Sequence, residues 1–289
     1  MHIVVNLDKP SGISSQEAVT AVKKIFRCRK AGHAGTLDPL ATGVLVICLN
    51  EATKISGYIA GLDKEYIMTG KLGEATDTYD SEGSITAVRN CSAITETDII
   101  TAAEQFTGET LQMPPIYSAI KKNGEPLYKL ARKGLTPTVE PRRVRMDSIE
   151  LLSFELPYFT VKVRCSKGTY MRSLCFDLGE ALGCGAHMTQ LRRTCTGAFS
   201  INRSARLDEL PAKTEALSDI NSALGHLQDI LLENHDLKLA KNGNPVRLPD
   251  SAVLQQGDYA KLKDAASGNV FGIAKTVGGS LKIERLFNI

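Results

Sequence analysis

One stretch of this chain holds a single carboxylate in a setting where it could do chemistry. Gly32-His33-Ala34-Gly35-Thr36-Leu37-Asp38-Pro39-Leu40-Ala41-Thr42-Gly43 carries one carboxylate, framed by glycines, and runs into the apolar residues Val44 to Cys48. Glycine opens backbone conformations closed to other residues. Pro39 restricts Asp38 toward extended geometry. The apolar run that follows reads as a buried strand. The expectation is a single acid held on a rigid loop beside the core, where a carboxylate can act as nucleophile or as base. An Asp-Pro pair alone more often only makes a turn, so other features must decide.

Several other chemistries find no support. There is no G-x-x-x-x-G-K-[ST], no H-E-x-x-H and no G-x-S-x-G. Gly183-Cys184-Gly185 lacks the third glycine of a dinucleotide loop and follows a helical pattern. The seven cysteines (Cys28, Cys48, Cys91, Cys165, Cys175, Cys184 and Cys195) form no C-x-x-C pair. An odd set lying partly in apolar runs fits free thiols in a reducing cytoplasm. Cys184 and His187 have no second ligand pair for zinc. No cofactor and no metal are expected. Met1 to Pro10 lacks signal-peptide architecture. No apolar run approaches the roughly 20 residues that span a bilayer, so no membrane partner is expected, and the sequons at Asn90 and Asn202 read as chance.

The elements that must position the loop follow from periodicity. Ile3 to Leu7 is a strand candidate. Ser14 and Glu17 form a capping box, and Ala18, Val19, Val22, Ile25 and Phe26 recur at helical spacing, which predicts a helix over 16–26. Strands are expected at 66–72 and 159–165, a capped helix at 95–106 ending before Gly108, a short helix at 126–132, and a helix at 170–182 ending at Gly183. Glu74 to Gly83 is turn-like. Ala223, Leu224, Leu227, Ile230 and Leu231 suggest one more helix. After it, 259–263, 269–276 and 280–287 read as short strands joined by turns. That β-rich module of roughly 55 residues is small for an independent core and should pack on the larger part.

The chain has 289 residues, 43% hydrophobic and 23% charged, enough for one medium domain plus a small one. A formal net charge of +3 is too small to argue for nucleic acid by itself. Its distribution says more. From Lys121 to Arg145 eight basic residues stand against Glu125 and Glu140. Such a run is either a solvated face or a phosphate-binding surface.

H-A-G-T-L-D-P-L-A-T-G-V-L closely resembles the catalytic-loop motif of the TruB family of pseudouridine synthases. Further matches follow in order. Leu7 to Gly12 with Ser14-Ser15 is similar to that family's N-terminal K-P-x-G motif, Glu51 to Lys54 to the stretch after the catalytic loop, and Asp63 to Tyr66 to the segment bearing its active-site tyrosine. Thr76-Asp77-Thr78 with Asp80 and Gly83 comes next. Cys165 to Leu174 is similar to its arginine motif, and Leu178 to His187 with Leu191-Arg192-Arg193 completes the set. The likeness covers about residues 3–210.

The resemblance implies an α/β (α+β) pseudouridine synthase fold, with a mixed, largely antiparallel sheet and a small C-terminal PUA-like domain. The expected division is a catalytic domain at 1–215, with an RNA-gripping insertion at about 113–145, and an RNA-binding region at 216–289. The implied activity is isomerisation of uridine 55 in the T loop of tRNA, which breaks an N-glycosidic bond, turns the base and forms a carbon–carbon bond. The implied catalytic residues are Asp38, Tyr66 and Arg172, with Arg172 pairing Asp38 to keep it ionised and Tyr66 stacking on the base. The target must leave its stack at a cost of a few kcal/mol. His33 would fill the gap it leaves, and Leu191 would wall the base pocket. Lys9 and Lys54 would meet phosphates, while Tyr170 and Asp80 would shape the site. Lys121, Lys122, Arg142 and Arg143 would bind RNA phosphates.

Alternatives are a guide-RNA-dependent relative of the dyskerin type and a tRNA-folding chaperone with a dispensable site. The absence of long basic extensions favours a monomer acting alone, without guide RNA. The presence of Asp38, Tyr66 and Arg172 together favours activity.

Overall fold

A computed structural model describes the chain except residues 119–120, 123, 128–134, 136–138 and 289, and except the side chains of residues 121, 122 and 126. The helix expected at 126–132 falls largely outside the described residues.

The centre is the strand Thr42–Leu49, in which every residue from Gly43 on is buried. Its alternating side chains feed two cores. Leu45, Ile47 and Leu49 join Val5, Leu7, Val19, Val22, Met68 and Leu174 on one face. Val44, Val46 and Cys48 join Ile55, Ile59, Leu224, Ile273 and Phe287 on the other. Burial on both faces explains why this strand reads as a continuous apolar run rather than an alternation. Each large side chain so buried contributes about 1.5–3 kcal/mol.

Around it lies a ten-stranded sheet. The main order is Leu217–Asp219, Ile3–Lys9, Thr42–Leu49, Ala186–Thr196, Lys64–Leu72, Tyr158–Cys165, Arg142–Glu155 and Gly108–Gln112. Two short strands complete it: Ala31–His33 pairs with Thr42–Leu49, and Phe199–Ser200 with Ala186–Thr196. Every pairing is antiparallel except that of Thr42–Leu49 with Ala186–Thr196, which is parallel and joins only Thr42 to Arg192 and Gly43 to Arg193. Among the described residues the sheet is held at its middle by those two residue pairs, and the candidate site opens beside them.

The helices Ser15–Ile25 and Met171–Ala181 pack on the sheet through Ala18, Val19 and Val22, and through Leu174, Cys175 and Leu178. The Ser14–Glu17 capping box is formed as the sequence predicts. Thr95 and Asp98 cap Glu96–Glu104 in the same way.

The C-terminal module is a five-stranded sheet ordered Gln228–Leu232, Tyr259–Asp264, Val270–Val277, Ser280–Leu286 and Val246–Arg247. It packs on the large sheet through Ile273 and Phe287. One expectation fails here. Ile230 and Leu231 are not helical. The helix stops at Ala223, and Gln228–Leu232 is a strand with Ile230 and Leu232 buried and Leu231 exposed, a period of two rather than 3.6. The boundary expected after residue 215 precedes Leu217–Asp219, which still pairs with Ile3 to Val5 in the large sheet.

Candidate active site

The loop carrying Asp38 is clamped on all sides. Ser15 Oγ donates to Leu37 O at 2.9 Å and accepts from Leu37 N at 2.8 Å, so one hydroxyl satisfies both backbone groups. Gly12 N donates to Pro39 O at 2.9 Å and Ala41 N to Asp38 O at 3.1 Å. Lys9 Nζ donates to the carbonyls of Pro10, Ile13 and Pro39 at 2.8, 2.8 and 3.2 Å. Gly43 ends the loop at φ +98°, and a Cβ there would lie 2.2 Å from the Arg193 carbonyl oxygen. Only glycine lets the two central strands approach this closely.

Asp38 itself stays accessible, with 35% of its side chain exposed. Its Oδ2 is 2.9 Å from Arg172 Nε. That N–H has no hydrogen-bond alignment with an acceptor among the described residues, so the contact is an ion pair by proximity. Arg172 is the second residue of its helix and is buried. Nη1 lies 3.4 Å from Asp80 Oδ2 and donates to Thr78 O at 3.2 Å, while Nη2 donates to Tyr117 O at 2.9 Å. One guanidinium therefore stands between an accessible acid and a buried one. Asp80 is fixed in turn by Thr78 Oγ1 at 2.5 Å and Glu82 N at 3.1 Å.

These groups line a cavity of about 980 Å³. Of the residues expected at the site, Asp38, Tyr66, Arg172, His33, Leu191, Tyr170 and Asp80 are all on its wall. Tyr66 projects from the buried face of Lys64–Leu72, and burial pushes its phenol pKa up. Leu191 pairs with Met68 across the neighbouring strand. His33 is half-buried, and its Nδ1 has no partner among the described residues. Burial, helped by the Arg193 charge, holds its pKa below the ordinary range. The backbone N–H and carbonyl of Tyr170 are both bonded by the Gln112 side-chain amide, at 2.8 and 3.0 Å.

Two expected residues sit elsewhere. Lys9 is fully buried and its ammonium is spent on three loop carbonyls, so it braces the loop instead of meeting phosphate. Lys54 is outside the cavity lining. It pairs with Glu51 at 2.7 Å and donates to Leu286 O at 2.8 Å, tying the large domain to the C-terminal module. Arg142 and Arg143 are exposed at the start of Arg142–Glu155. The side chains of Lys121 and Lys122 lie outside the described residues.

Sequence reasoning missed two cavity-lining cations. Lys64 is buried, donates to Ala60 O at 2.6 Å and Leu62 O at 2.5 Å, and burial pushes its pKa down to about 8. Arg193 is 1% exposed. Both lie within matched motifs, but nothing in a one-dimensional string marks which basic residue is buried.

Residues 23–171 match the family model described as "TruB family pseudouridylate synthase (N terminal domain)", and residues 172–233 match "tRNA pseudouridylate synthase B C-terminal domain". The chain is 45% identical over 291 residues to tRNA pseudouridine synthase B of Clostridium tetani, covering 100% of this chain and 98% of the relative. It is 41% identical to the protein of the same name from Haemophilus influenzae, covering 97% and 93%. Among solved structures, that titled "Crystal Structure of a Cbf5-Nop10-Gar1 Complex" is similar at TM-score 0.76 and 28% identity, covering 99% of this chain and 84% of that one. With both family models matched in sequence order and relatives above 40% identity along nearly its whole length, this chain belongs to the TruB family of pseudouridylate synthases.

Proposed function

We propose that the chain converts uridine 55 in the T loop of tRNA to pseudouridine, with Asp38 as the catalytic acid residue. The observation that carries this is the placement of Asp38: a clamped, accessible carboxylate beside a buried guanidinium, on the wall of a cavity of about 980 Å³. The target nucleotide swings out of the loop into that cavity. Tyr66 and Leu191 supply apolar faces for the base, and His33 stacks in the space it leaves.

Asp38 acts at the ribose, the N1–C1′ bond breaks, the base turns, and C5 bonds to C1′. The proton leaving C5 is balanced by one gained at N1, so the reaction is an isomerisation. Arg172 holds Asp38 by charge, and Asp80 and two backbone carbonyls hold Arg172. Arg142 and Arg143, with Lys121 and Lys122, contact RNA phosphates, and the C-terminal module extends the tRNA interface. Seven free cysteines fit a reducing cytoplasm.

Incubation with an unmodified tRNA transcript, without added metal or nucleotide, followed by mapping, tests this directly. One pseudouridine at position 55 is the expected result. No product, or product at another position, overturns the reading. A guide-dependent mode has one observation in its favour, the fold likeness to guide-RNA complexes such as "Structure of H/ACA RNP bound to a substrate RNA containing 2'-deoxyuridine" at 26% identity. Turnover of naked tRNA by the protein alone decides against it.

A further inference from the structure

Arg193 carries a buried positive charge that the reaction described above does not use. Its guanidinium donates to three main-chain carbonyls, Nε to Val44 O at 2.6 Å, Nη2 to Gly35 O at 3.1 Å and Nη1 to Thr36 O at 3.4 Å, and it also acts on the Tyr66 phenol by charge and side-chain hydrogen bonding. No carboxylate lies within 4 Å of it among the described residues. Arg172, by contrast, has two. Removing a guanidinium from water without a counter-ion is expensive, and an apolar side chain would fill the same place in a strand at less cost. The charge is therefore not explained by packing.

We infer that Arg193 is a positioning residue for the catalytic acid: it fastens the backbone on both sides of Asp38, at Gly35–Thr36 and at Val44, to the strand that walls the base pocket. The topology supports this. Arg193 stands opposite Gly43 in the parallel pairing and opposite Tyr66 in the antiparallel one. Two residues earlier on the same strand is Leu191, another wall of the cavity. A single side chain therefore sets the loop of Asp38 against the strands of Tyr66 and Leu191. A planar fork with several fixed donors can hold three carbonyls at once, and an ammonium cannot reproduce that geometry. Burial is the larger influence on the pKa of His33, Tyr66, Lys9 and Lys64, but the Arg193 charge reaches all four and pulls each downward.

The inference rests on the proposed reaction, so wild-type turnover is measured alongside the variants. Absence of wild-type product defeats the reaction itself. With wild-type product present, the variants test Arg193 alone. In single-turnover assays with tRNA transcript, Arg193→Met should lower the rate of pseudouridine formation by about 100-fold, the scale of a misplacement near 1 Å. Its Kd for tRNA should stay within about threefold of wild type. Arg193→Lys should recover only part of the rate.

The His33 imidazole, followed by NMR, gives a second readout; because exposure of the ring would also raise its pKa, the charge-keeping Arg193→Lys is the control. The imidazole pKa should rise in Arg193→Met, where the charge is gone, and stay near wild type in Arg193→Lys. A folded Arg193→Met with a wild-type rate, or one whose rate loss is matched by its loss of tRNA affinity, overturns the inference. If Arg193→Met does not fold, Arg193→Lys decides: a wild-type rate in that variant overturns it equally.

Discussion

Replacing Arg172 with methionine should damage the fold as well as the reaction, because the guanidinium neutralises Asp80, whose side chain is only 4% exposed, as well as Asp38. Removing one partner of a buried pair leaves an uncompensated charge and costs about 3–5 kcal/mol. The carbonyls of Thr78 and Tyr117 also lose their donor. For a chain of this size, 1 kcal/mol moves Tm by roughly 2–4 °C, so Arg172→Met should melt about 10 °C below wild type. Asp38 adds less to this loss, since a third of its side chain meets water.

The decisive form is a double-mutant cycle with Asp80→Asn, read by urea unfolding and by pseudouridine formation. Asp80→Asn removes the charge that Arg172→Met strands, so the double variant should be more stable than the sum of the two losses by about 1–3 kcal/mol. It should still be inactive. Losses that add within about 0.5 kcal/mol would show that the two residues do not share a buried charge balance, and the description of the site would be wrong.

Two further predictions concern pH and salt. Burial pushes the pKa of Lys64 down to about 8, below its ordinary value of 10.5. Between those values the unfolded chain binds a proton that the folded chain does not, so this group's contribution makes the fold more stable as pH rises from about 8 to about 10. Lys64→Met should remove that increment between pH 8 and pH 9.5 in urea unfolding, and an unchanged increment would contradict it. Replacing the exposed Arg142 and Arg143 with alanine should weaken tRNA binding and lower the slope of log Kd against log salt by about 0.7–0.9 for each phosphate no longer neutralised. An unchanged slope in a filter-binding titration would show that neither residue meets phosphate.

Much of this molecule is legible in one dimension where local chemistry and global fold agree. The Ser14–Glu17 box starts its helix, the 159–165 alternation is a strand, and the glycine-framed Asp38 loop is tied to its surroundings by hydrogen bonds to its backbone. Where tertiary context decides, the string is silent or misleading. Arg142–Glu155 extends for 14 residues as a strand, although its start reads as a basic surface run. Ile230 and Leu231 look helical beside Leu227, yet become a strand because Tyr259–Asp264 offers a parallel edge to pair with. Lys9 lies in a matched motif, and the resemblance suggests a phosphate ligand there. It is buried because three carbonyls of two converging loops need a donor. Arg193 belongs to a matched motif, but its burial arises from a two-residue parallel pairing that periodicity cannot reveal.

Asp38→Asn is the sharpest test of the account. It keeps the size of the side chain, and it leaves untouched Ser15, Lys9 and the other groups that clamp the loop through its backbone. Pseudouridine formation on tRNA transcript should fall to background while tRNA affinity stays near wild type. Turnover close to the wild-type rate would remove the carboxylate from the chemistry and the account with it.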